Sequence, residues 1–237
     1  MSIHSGHRQR VRNRFLEEGL DHFDDYVVLE MALFYCFPQI DTNPIAHRLI
    51  NTFGSFPQVL EAPVEELTKV EGIGANAATF LSFLGALCRF YYVEKSKPTK
   101  RMKSSEDFAR YIAPHFLGRR NEMVYLMCLD AKYHLLCCRM LSEGNVNNTA
   151  VSVRKIIEIA LGMGASYVVL AHNHPKGYAI ASYEDVQTTI ELQNSLSAVG
   201  IALLDHIVIA DNNYASIVYK KQTGKCIDTD ENGKESE

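Results

Sequence analysis

The sequence predicts an α/β protein in which a small all-helical domain precedes an α/β sandwich. Apolar residues recur at helical spacing up to about Val93, and beyond that point short apolar runs of strand length alternate with helical segments. The polar segment between them, EKSKPTKRMKSS, is broken by a proline and is a natural linker. We therefore expect a helical domain at residues 1–93, a linker at 94–103, an α/β domain at 104–225 and an acidic, disordered tail at 226–237.

Composition is that of a globular protein without a membrane segment. With 237 residues and 47% hydrophobic content, the chain can bury one good core and a small second one. No apolar stretch is long enough to span a bilayer, and MSIHSGHRQR lacks a signal-peptide core, so we expect a cytoplasmic protein with no membrane partner. The six cysteines show no C-x-x-C spacing, which argues against a disulfide framework or a thiolate zinc site.

The helical domain is predicted from three segments. VVLEMALFYCF and PIAHRLINTF have helical apolar spacing and are separated by Pro38 and the turn at residues 41–44, where Thr42 or Asn43 can cap the second helix. ELTKVEGIGANAATFLSFLG then predicts a helix, a Gly-Ile-Gly turn and another helix. This pattern is the signature of a helix-hairpin-helix.

Weak DNA binding is one possible role for this domain. Gly72 and Gly74 permit a sharp turn, and the amides that open the next helix can meet a phosphate, but the turn carries Glu71 and only Lys69 as a nearby cation. The basic run near the N-terminus is either a solvated helix face or a phosphate-contacting arm. Its arginines, which would carry any DNA binding more than the turn does, are Arg8, Arg10, Arg12 and Arg14. Protein contact and simple packing remain alternative roles for the hairpin.

The second domain is predicted element by element. SEDFARYIAPHFL indicates a helix, and EMVYLMCLDAKYHLLCCRML two strands joined by a turn near residues 130–132. VRKIIEIALGMG is an amphipathic helix, SYVVLA a buried strand, VQTTIELQNSLSAVG a helix, and LLDHIVIA and YASIVY two strands. The order β-β-α-β-α-β-β indicates an α/β sandwich.

The run AHNHPKGYAIASYED has the make-up of a metal site. On an extended segment residues i and i+2 point to the same side, so His172 and His174 can offer two imidazole nitrogens to one ion, with Asp185 as a third ligand. Three protein ligands and an open fourth position are typical of catalytic zinc, which suggests hydrolysis. The run also follows a buried strand, and α/β folds place their sites at such strand ends.

A structural interpretation of the same residues competes with this one. Ser182, followed three residues later by Asp185, also predicts a helix N-cap with a carboxylate in the first turn. A His-x-His pair alone is weak support for a metal site. The two roles are compatible, because one carboxylate can serve both.

The spacing His-x-His, seven residues, Ser, two residues, Asp resembles the JAMM (MPN+) metalloprotease motif. The wider chain resembles the bacterial RadC family of the UPF0758 type, from GHRQRVRNRFLEEGLDHFDDY through VEGIGANAA to LAHNHPKG and LLDHIVIADNNYASI. The resemblance implies a JAMM domain with a cytidine-deaminase-like fold, a Zn²⁺ cofactor, and peptidase or isopeptidase activity on a protein or peptide substrate.

The resemblance also implies residue roles. Glu122 stands where JAMM enzymes carry a glutamate that acts on the metal-bound water, with Glu143 as the runner-up. Ser182 would hydrogen-bond the oxyanion. Asp205 and His206 form a rival pair, and we expect His206, on the opposite side of its strand from Asp205, to support a ligand or fill the core.

Two other functions stay open at this point. The family's historical label as a DNA-repair protein implies a DNA-associated binding module with a structural or vestigial metal. A zinc domain that binds a partner without cutting it is the third possibility.

Overall fold

The computed structural model describes residues 3–144, 152–175, 177–211 and 213–218. The chain divides into two compact units, Met1–Tyr92 and Val93–Glu237. The predicted acidic tail at 226–237 lies outside the described residues. No helix in the described ranges combines the length and the apolar character needed to cross a membrane.

Helices build the first unit. Their bounds are α1 Ile3–Glu18, α2 Asp25–Leu33, α3 Asn43–Phe53, α4 Phe56–Leu60, α5 Val64–Leu67 and α6 Ala75–Ser96. Leu33, Leu49 and Leu81, from α2, α3 and α6, are fully buried in one apolar core. Helix α6 runs past the predicted domain boundary at residue 93 and into the segment predicted as a linker.

The start of α3 differs from the predicted cap. Thr42 occupies the N-cap position, but its side chain makes no cap bond. Its hydroxyl donates instead to the backbone oxygen of Glu30 (3.2 Å), and Asn43 Nδ2 donates to Glu30 Oε2 (3.1 Å). Glu30 is buried, so these polar side chains satisfy groups that water cannot reach.

The predicted hairpin consists of the short helix α5, a turn and the long helix α6. Gly72 has φ +92°, a left-handed conformation, and a Cβ there would lie 3.1 Å from Ile45 Cδ1. Gly74 is not in that region, and a Cβ there would meet no atom within 4 Å. Only Gly72 therefore requires glycine, and assignment to the helix-hairpin-helix motif stays a prediction.

The second unit is a mixed α/β domain around a five-stranded sheet. Its elements are α7 Ser105–Phe116, β1 Met123–Leu129, β2 Leu135–Glu143, α8 Val153–Gly162, β3 Tyr167–Asn173, α9 Tyr183–Ser197, β4 Ala202–Ala210 and β5 Asn213–Ser216. The strand order is β2-β1-β3-β4-β5, with β3 and β4 parallel and the other neighbours antiparallel. After α7 the elements follow the predicted order β-β-α-β-α-β-β.

Helices cover both faces of this sheet. Phe108 and Ile112 of α7 pack with Ala171 on one face, and Ile156 of α8 and Leu192 of α9 pack with Leu170 on the other. Alternation along β3 therefore turns His172 toward the face that carries α9. Because β3 and β4 are parallel and α9 connects them, the end of β3 and the start of α9 lie at the same edge of the sheet.

Candidate metal centre

The end of β3 presents two imidazoles on one side. His172 is the second-last residue of the strand and is buried. His174 follows one residue after the strand, where its backbone N–H donates to Ile209 O (2.8 Å) and keeps the chain beside β4. The Nε2 atoms of the two rings are 3.0 Å apart. The i, i+2 spacing thus brings two ring nitrogens together at the sheet edge.

The start of α9 brings a carboxylate to the same place. Ser182 and Asp185 form a capping box: Asp185 N–H donates to Ser182 Oγ (3.1 Å), and Ser182 N–H donates to Asp185 Oδ2 (2.8 Å). The Ser182 hydroxyl also donates to Asp185 Oδ2 (2.8 Å). The carboxylate is therefore oriented by its own helix, and its other oxygen, Oδ1, lies 3.4 Å from His172 Nε2.

These three side chains fit a metal ion. Their donor atoms all lie within 4.8 Å of one another, and His174 Nε2 is 3.8 Å from Asp185 Oδ2. Ligands about 2.1 Å from a tetrahedral ion lie roughly 3.4 Å apart, which is close to these separations. Nitrogen and carboxylate donors of this kind suit zinc, and three protein ligands leave one position open.

The carboxylate of Asp185 is poised to stay ionised. Burial by itself would raise the pKa of this group, but the neighbouring imidazole of His172 and the hydrogen-bond donors of Ser182 outweigh it and hold the pKa well below its usual range. An ionised carboxylate is the form that binds a metal.

The tautomer of His174 follows from its other ring nitrogen. His174 Nδ1 lies 3.1 Å from the carbonyl oxygen of Tyr178, which can only accept, so Nδ1 carries the hydrogen. In the neutral ring Nε2 is then unprotonated and points toward His172 Nε2. A cation between the two nitrogens, either a metal ion or an additional proton, makes this approach favourable.

The rival pair is separated by the sheet. Asp205 lies on the α7 face, where Ser105 Oγ (2.5 Å) and Ser216 Oγ (2.7 Å) donate to it, and burial raises its pKa. His206 lies on the α9 face, and its Nε2 is 2.9 Å from His172 Nδ1. Burial lowers the pKa of His206 to about 3. His206 therefore contacts the candidate ligand His172.

Sequence reasoning missed one residue at this site. Thr189 Oγ1 lies 2.6 Å from His206 Nδ1 and 2.6 Å from the carbonyl oxygen of Asp185. Its position four residues after Asp185 on the same helix is the signal that could have identified it, since residues i and i+4 share a helix face.

The two candidate glutamates fall on opposite faces by register. Val124 of β1 pairs with His172 of β3. The same antiparallel register, continued by two residues, sets Glu122 opposite His174. Because side chains alternate along a strand, Glu122 then lies on the same face of the sheet as Val124 and His172. Gly144 N–H donates to Glu122 O (3.0 Å) and extends the ladder to this residue. Glu143 pairs with Met123, which packs in the α7 layer. The register thus favours Glu122.

The arginines predicted to contact DNA have different surroundings in the first unit. Arg8 is buried, and its guanidinium donates to the carbonyl oxygens of Pro38, Phe37 and Ile40. A contact from Arg8 to DNA would require it to leave these oxygens unsatisfied.

The other three arginines are less enclosed. Arg12 stacks over the ring of Phe34, Arg14 Nε donates to Glu18 Oε1 (3.0 Å), and Arg10 is exposed. Tertiary structure also brings Arg48 to the Gly72 turn, where its Nε donates to Glu71 O (3.0 Å). Contact of this unit with DNA stays a prediction.

Comparison with known proteins identifies the family. A family model described as the RadC-like JAB domain matches residues 102–224. The chain is 31% identical over 220 residues to a UPF0758 protein of Fusobacterium nucleatum, a match that covers 90% of this chain and 95% of the relative. It is 33% identical to a UPF0758 protein of Ruegeria pomeroyi, a match that covers 86% of this chain and 91% of the relative. It is also 33% identical to a UPF0758 protein of Rhodobacter capsulatus, over 84% of this chain and 93% of the relative. The resemblance predicted from the sequence is confirmed: the chain belongs to the RadC family and carries its JAB domain.

Proposed function

We propose that this protein is a zinc-dependent metallohydrolase that cleaves peptide or isopeptide bonds. The observation that carries the proposal is the convergence of His172, His174 and Asp185, whose donor atoms lie within 4.8 Å of one another. Three protein ligands would leave the fourth position of a tetrahedral ion to water. Membership in a JAB-domain family supports the hydrolytic class. Zinc bound by these donors supplies a water whose pKa is lowered to about 7 and polarises the scissile carbonyl.

The protein's own side chains do the remaining work. Glu122, on the face of the two imidazoles by register, accepts the proton of the attacking water and returns it to the leaving amine. Ser182 stabilises the negative charge that develops on the carbonyl oxygen. For this role its hydroxyl must turn away from Asp185 Oδ2, to which it donates at 2.8 Å.

The rim of the site favours a polypeptide substrate. Tyr178, Ile180 and Tyr183 lie between or beside the ligands along the chain and are 83%, 60% and 73% exposed. Exposed apolar side chains clustered at a site are typical of surfaces that contact macromolecules. The two tyrosines also combine an apolar ring with a hydroxyl, as aromatic anchors at protein interfaces do.

The test combines metal analysis with a search for cleavage. Wild-type, Glu122→Gln and His174→Ala proteins are purified, their zinc content is measured, and each is incubated with a peptide library that includes lysine-branched isopeptides. New termini are then counted by mass spectrometry. We expect about one zinc per chain in wild type and Glu122→Gln, no zinc in His174→Ala, and new termini only with wild type.

Two results would contradict the proposal. Equal zinc content in wild type and His174→Ala would remove the metal site. Zinc in wild type with no more new termini than with His174→Ala would identify a domain that binds without cutting.

A further inference from the structure

Three buried side chains connect α9, β4 and β3 behind the metal ligands. Thr189 Oγ1 lies 2.6 Å from His206 Nδ1, and His206 Nε2 lies 2.9 Å from His172 Nδ1. Thr189, His206 and His172 are 4%, 1% and 7% exposed. Since water cannot reach these atoms freely, each hydrogen in the chain must be placed by a protein partner.

The first hydrogen is placed by a backbone carbonyl. Thr189 Oγ1 lies 2.6 Å from the carbonyl oxygen of Asp185, which can only accept, so the single hydroxyl hydrogen of Thr189 points there. With that hydrogen committed, Thr189 Oγ1 can only accept from His206. His206 Nδ1 therefore carries a hydrogen and donates it to Thr189.

The remaining hydrogens follow from the first. Buried His206 is neutral and has one ring hydrogen, so its Nε2 is an acceptor. His172 Nδ1 must then donate to His206 Nε2, which leaves His172 Nε2 unprotonated. This is the nitrogen that faces His174 Nε2 at 3.0 Å and Asp185 Oδ1 at 3.4 Å.

We propose that Thr189 and His206 are positioning residues that hold His172 in its metal-binding tautomer, so that the Thr189 hydroxyl controls metal affinity without touching the metal. The inference rests on the metal site of the proposed function. His174 needs no such side chains, because the carbonyl of Tyr178 sets its tautomer directly. Helix α9 thus supplies the ligand Asp185 and also Thr189, which sets the tautomer of the ligand His172 through His206.

We call the hydrogen-bonded chain from Thr189 through His206 to His172 the relay. Thr189→Val tests the relay with little change in the shape of the side chain. Valine removes the acceptor of His206 Nδ1, so His206 can carry its hydrogen on Nε2 instead and donate it to His172. His172 must then place its own hydrogen on Nε2, where it blocks the metal. Loss of such an outer partner of a ligating histidine lowers metal affinity by roughly 10- to 100-fold.

Matched variants separate this effect from general damage. Thr189→Ser keeps the hydroxyl, and Thr188→Val makes the same substitution at the adjacent exposed residue of α9. His206→Gln offers one acceptor and one donor, as the neutral imidazole does, whereas His206→Phe offers neither. We expect zinc affinity near the wild-type value in Thr189→Ser and Thr188→Val, partial recovery in His206→Gln, and the 10- to 100-fold loss in Thr189→Val and His206→Phe.

The experiment measures zinc affinity of the full chain by competition with a chelator. In parallel, ¹⁵N NMR reports which ring nitrogen of His172 is protonated in the metal-free protein, and thermal unfolding of the metal-free variants checks that they fold. We expect a hydrogen on Nδ1 of His172 in wild type and Thr189→Ser, and a shift toward Nε2 in Thr189→Val. A purely structural role for Thr189 would not move this tautomer.

The outcomes distinguish this inference from the proposed function. Wild-type zinc affinity in folded Thr189→Val, or the absence of a hydrogen on Nδ1 of His172 in metal-free wild type, would overturn the relay. Zinc binding in the expected order without any hydrolysis would overturn the proposed function and support the relay. A wild-type chain that binds no zinc would overturn both.

Discussion

Two helices of the second unit begin with the same local motif, and one of them also faces a pair of imidazoles. Ser104 and Asp107 cap α7, and Ser182 and Asp185 cap α9. In each box the aspartate N–H donates to the serine hydroxyl at 3.1 Å. In each, one carboxylate oxygen accepts the serine N–H, at 3.1 Å in α7 and 2.8 Å in α9.

The difference lies in what else surrounds each carboxylate. At α7, Asp107 Oδ2 accepts a second backbone N–H, from Lys103 (2.9 Å), and this bond is the main cause of the lowered pKa of Asp107. At α9, Asp185 uses Oδ2 for the cap and presents Oδ1 to His172. A capping aspartate needs only one oxygen for the helix, so tertiary packing decides whether the other becomes a ligand.

The largest expected difference between the two boxes is in bound metal. Asp185→Ala should reduce zinc from about one per chain to almost none, because a site with three protein ligands cannot spare its carboxylate. Asp107→Ala should leave zinc unchanged. Both should lose on the order of 1 kcal/mol of stability through the missing cap. Zinc analysis and denaturant unfolding of the two variants check this; retained zinc in Asp185→Ala would remove this residue from the site.

The next effect concerns Glu122, the proposed proton acceptor, which the strand register sets opposite His174. Glu122→Gln should retain zinc and lose two or more orders of magnitude in turnover, since glutamine keeps the size but cannot accept the proton. Glu143→Gln is the matched control and should have normal turnover. Reversed results would move the role to Glu143, and zinc loss in Glu122→Gln would make Glu122 a ligand.

Substitution of the two capping serines, Ser104 and Ser182, should have similar effects on stability but different effects on turnover. Ser182→Ala and Ser104→Ala should each cost about 1 kcal/mol of unfolding free energy, because each removes the acceptor for an N–H in the first helical turn. Only Ser182→Ala should also raise the activation free energy, by roughly 2.7 to 4 kcal/mol. The two variants are compared by unfolding and by steady-state kinetics. Equal turnover would assign Ser182 to the cap alone.

The smallest effect is on stability at low pH. The pKa of Asp107 is lowered in the folded state, so its contribution to stability is complete above the unfolded value of about 3.9 and is lost as pH falls through the lower folded value. The destabilisation caused by Asp107→Ala, measured by denaturant unfolding against pH, should therefore shrink as pH falls through the folded value. Zinc binding needs unprotonated imidazole nitrogens, so zinc content is followed over the same pH range.

Much of this architecture was predictable from local pattern. The order of strands and helices after α7, the cap at Ser182 and the approach of His172 to His174 each depend on periodicity or on spacing of three residues or fewer. A cap at Thr42 or Asn43 was predicted by the same logic, and Thr42 does occupy the N-cap position. Its side chain makes no cap bond, because its hydroxyl donates to the backbone oxygen of buried Glu30, twelve residues away. Local rules fail where a buried polar group elsewhere needs the same side chain.

The sequence by itself determined that His172 and His174 lie at the end of one strand and that the next helix has a carboxylate in its first turn, because strand alternation and helix capping are properties of neighbouring residues. Tertiary structure alone decided that Asp185 Oδ1 lies near His172 Nε2. It also decided that His206 contacts His172 and that Thr189 contacts His206. The strand register, finally, places Glu122 rather than Glu143 on the face of the sheet that carries His172. The physical reason is that these relations depend on strand register and on the packing of α9 against the sheet, which involve residues tens of positions apart.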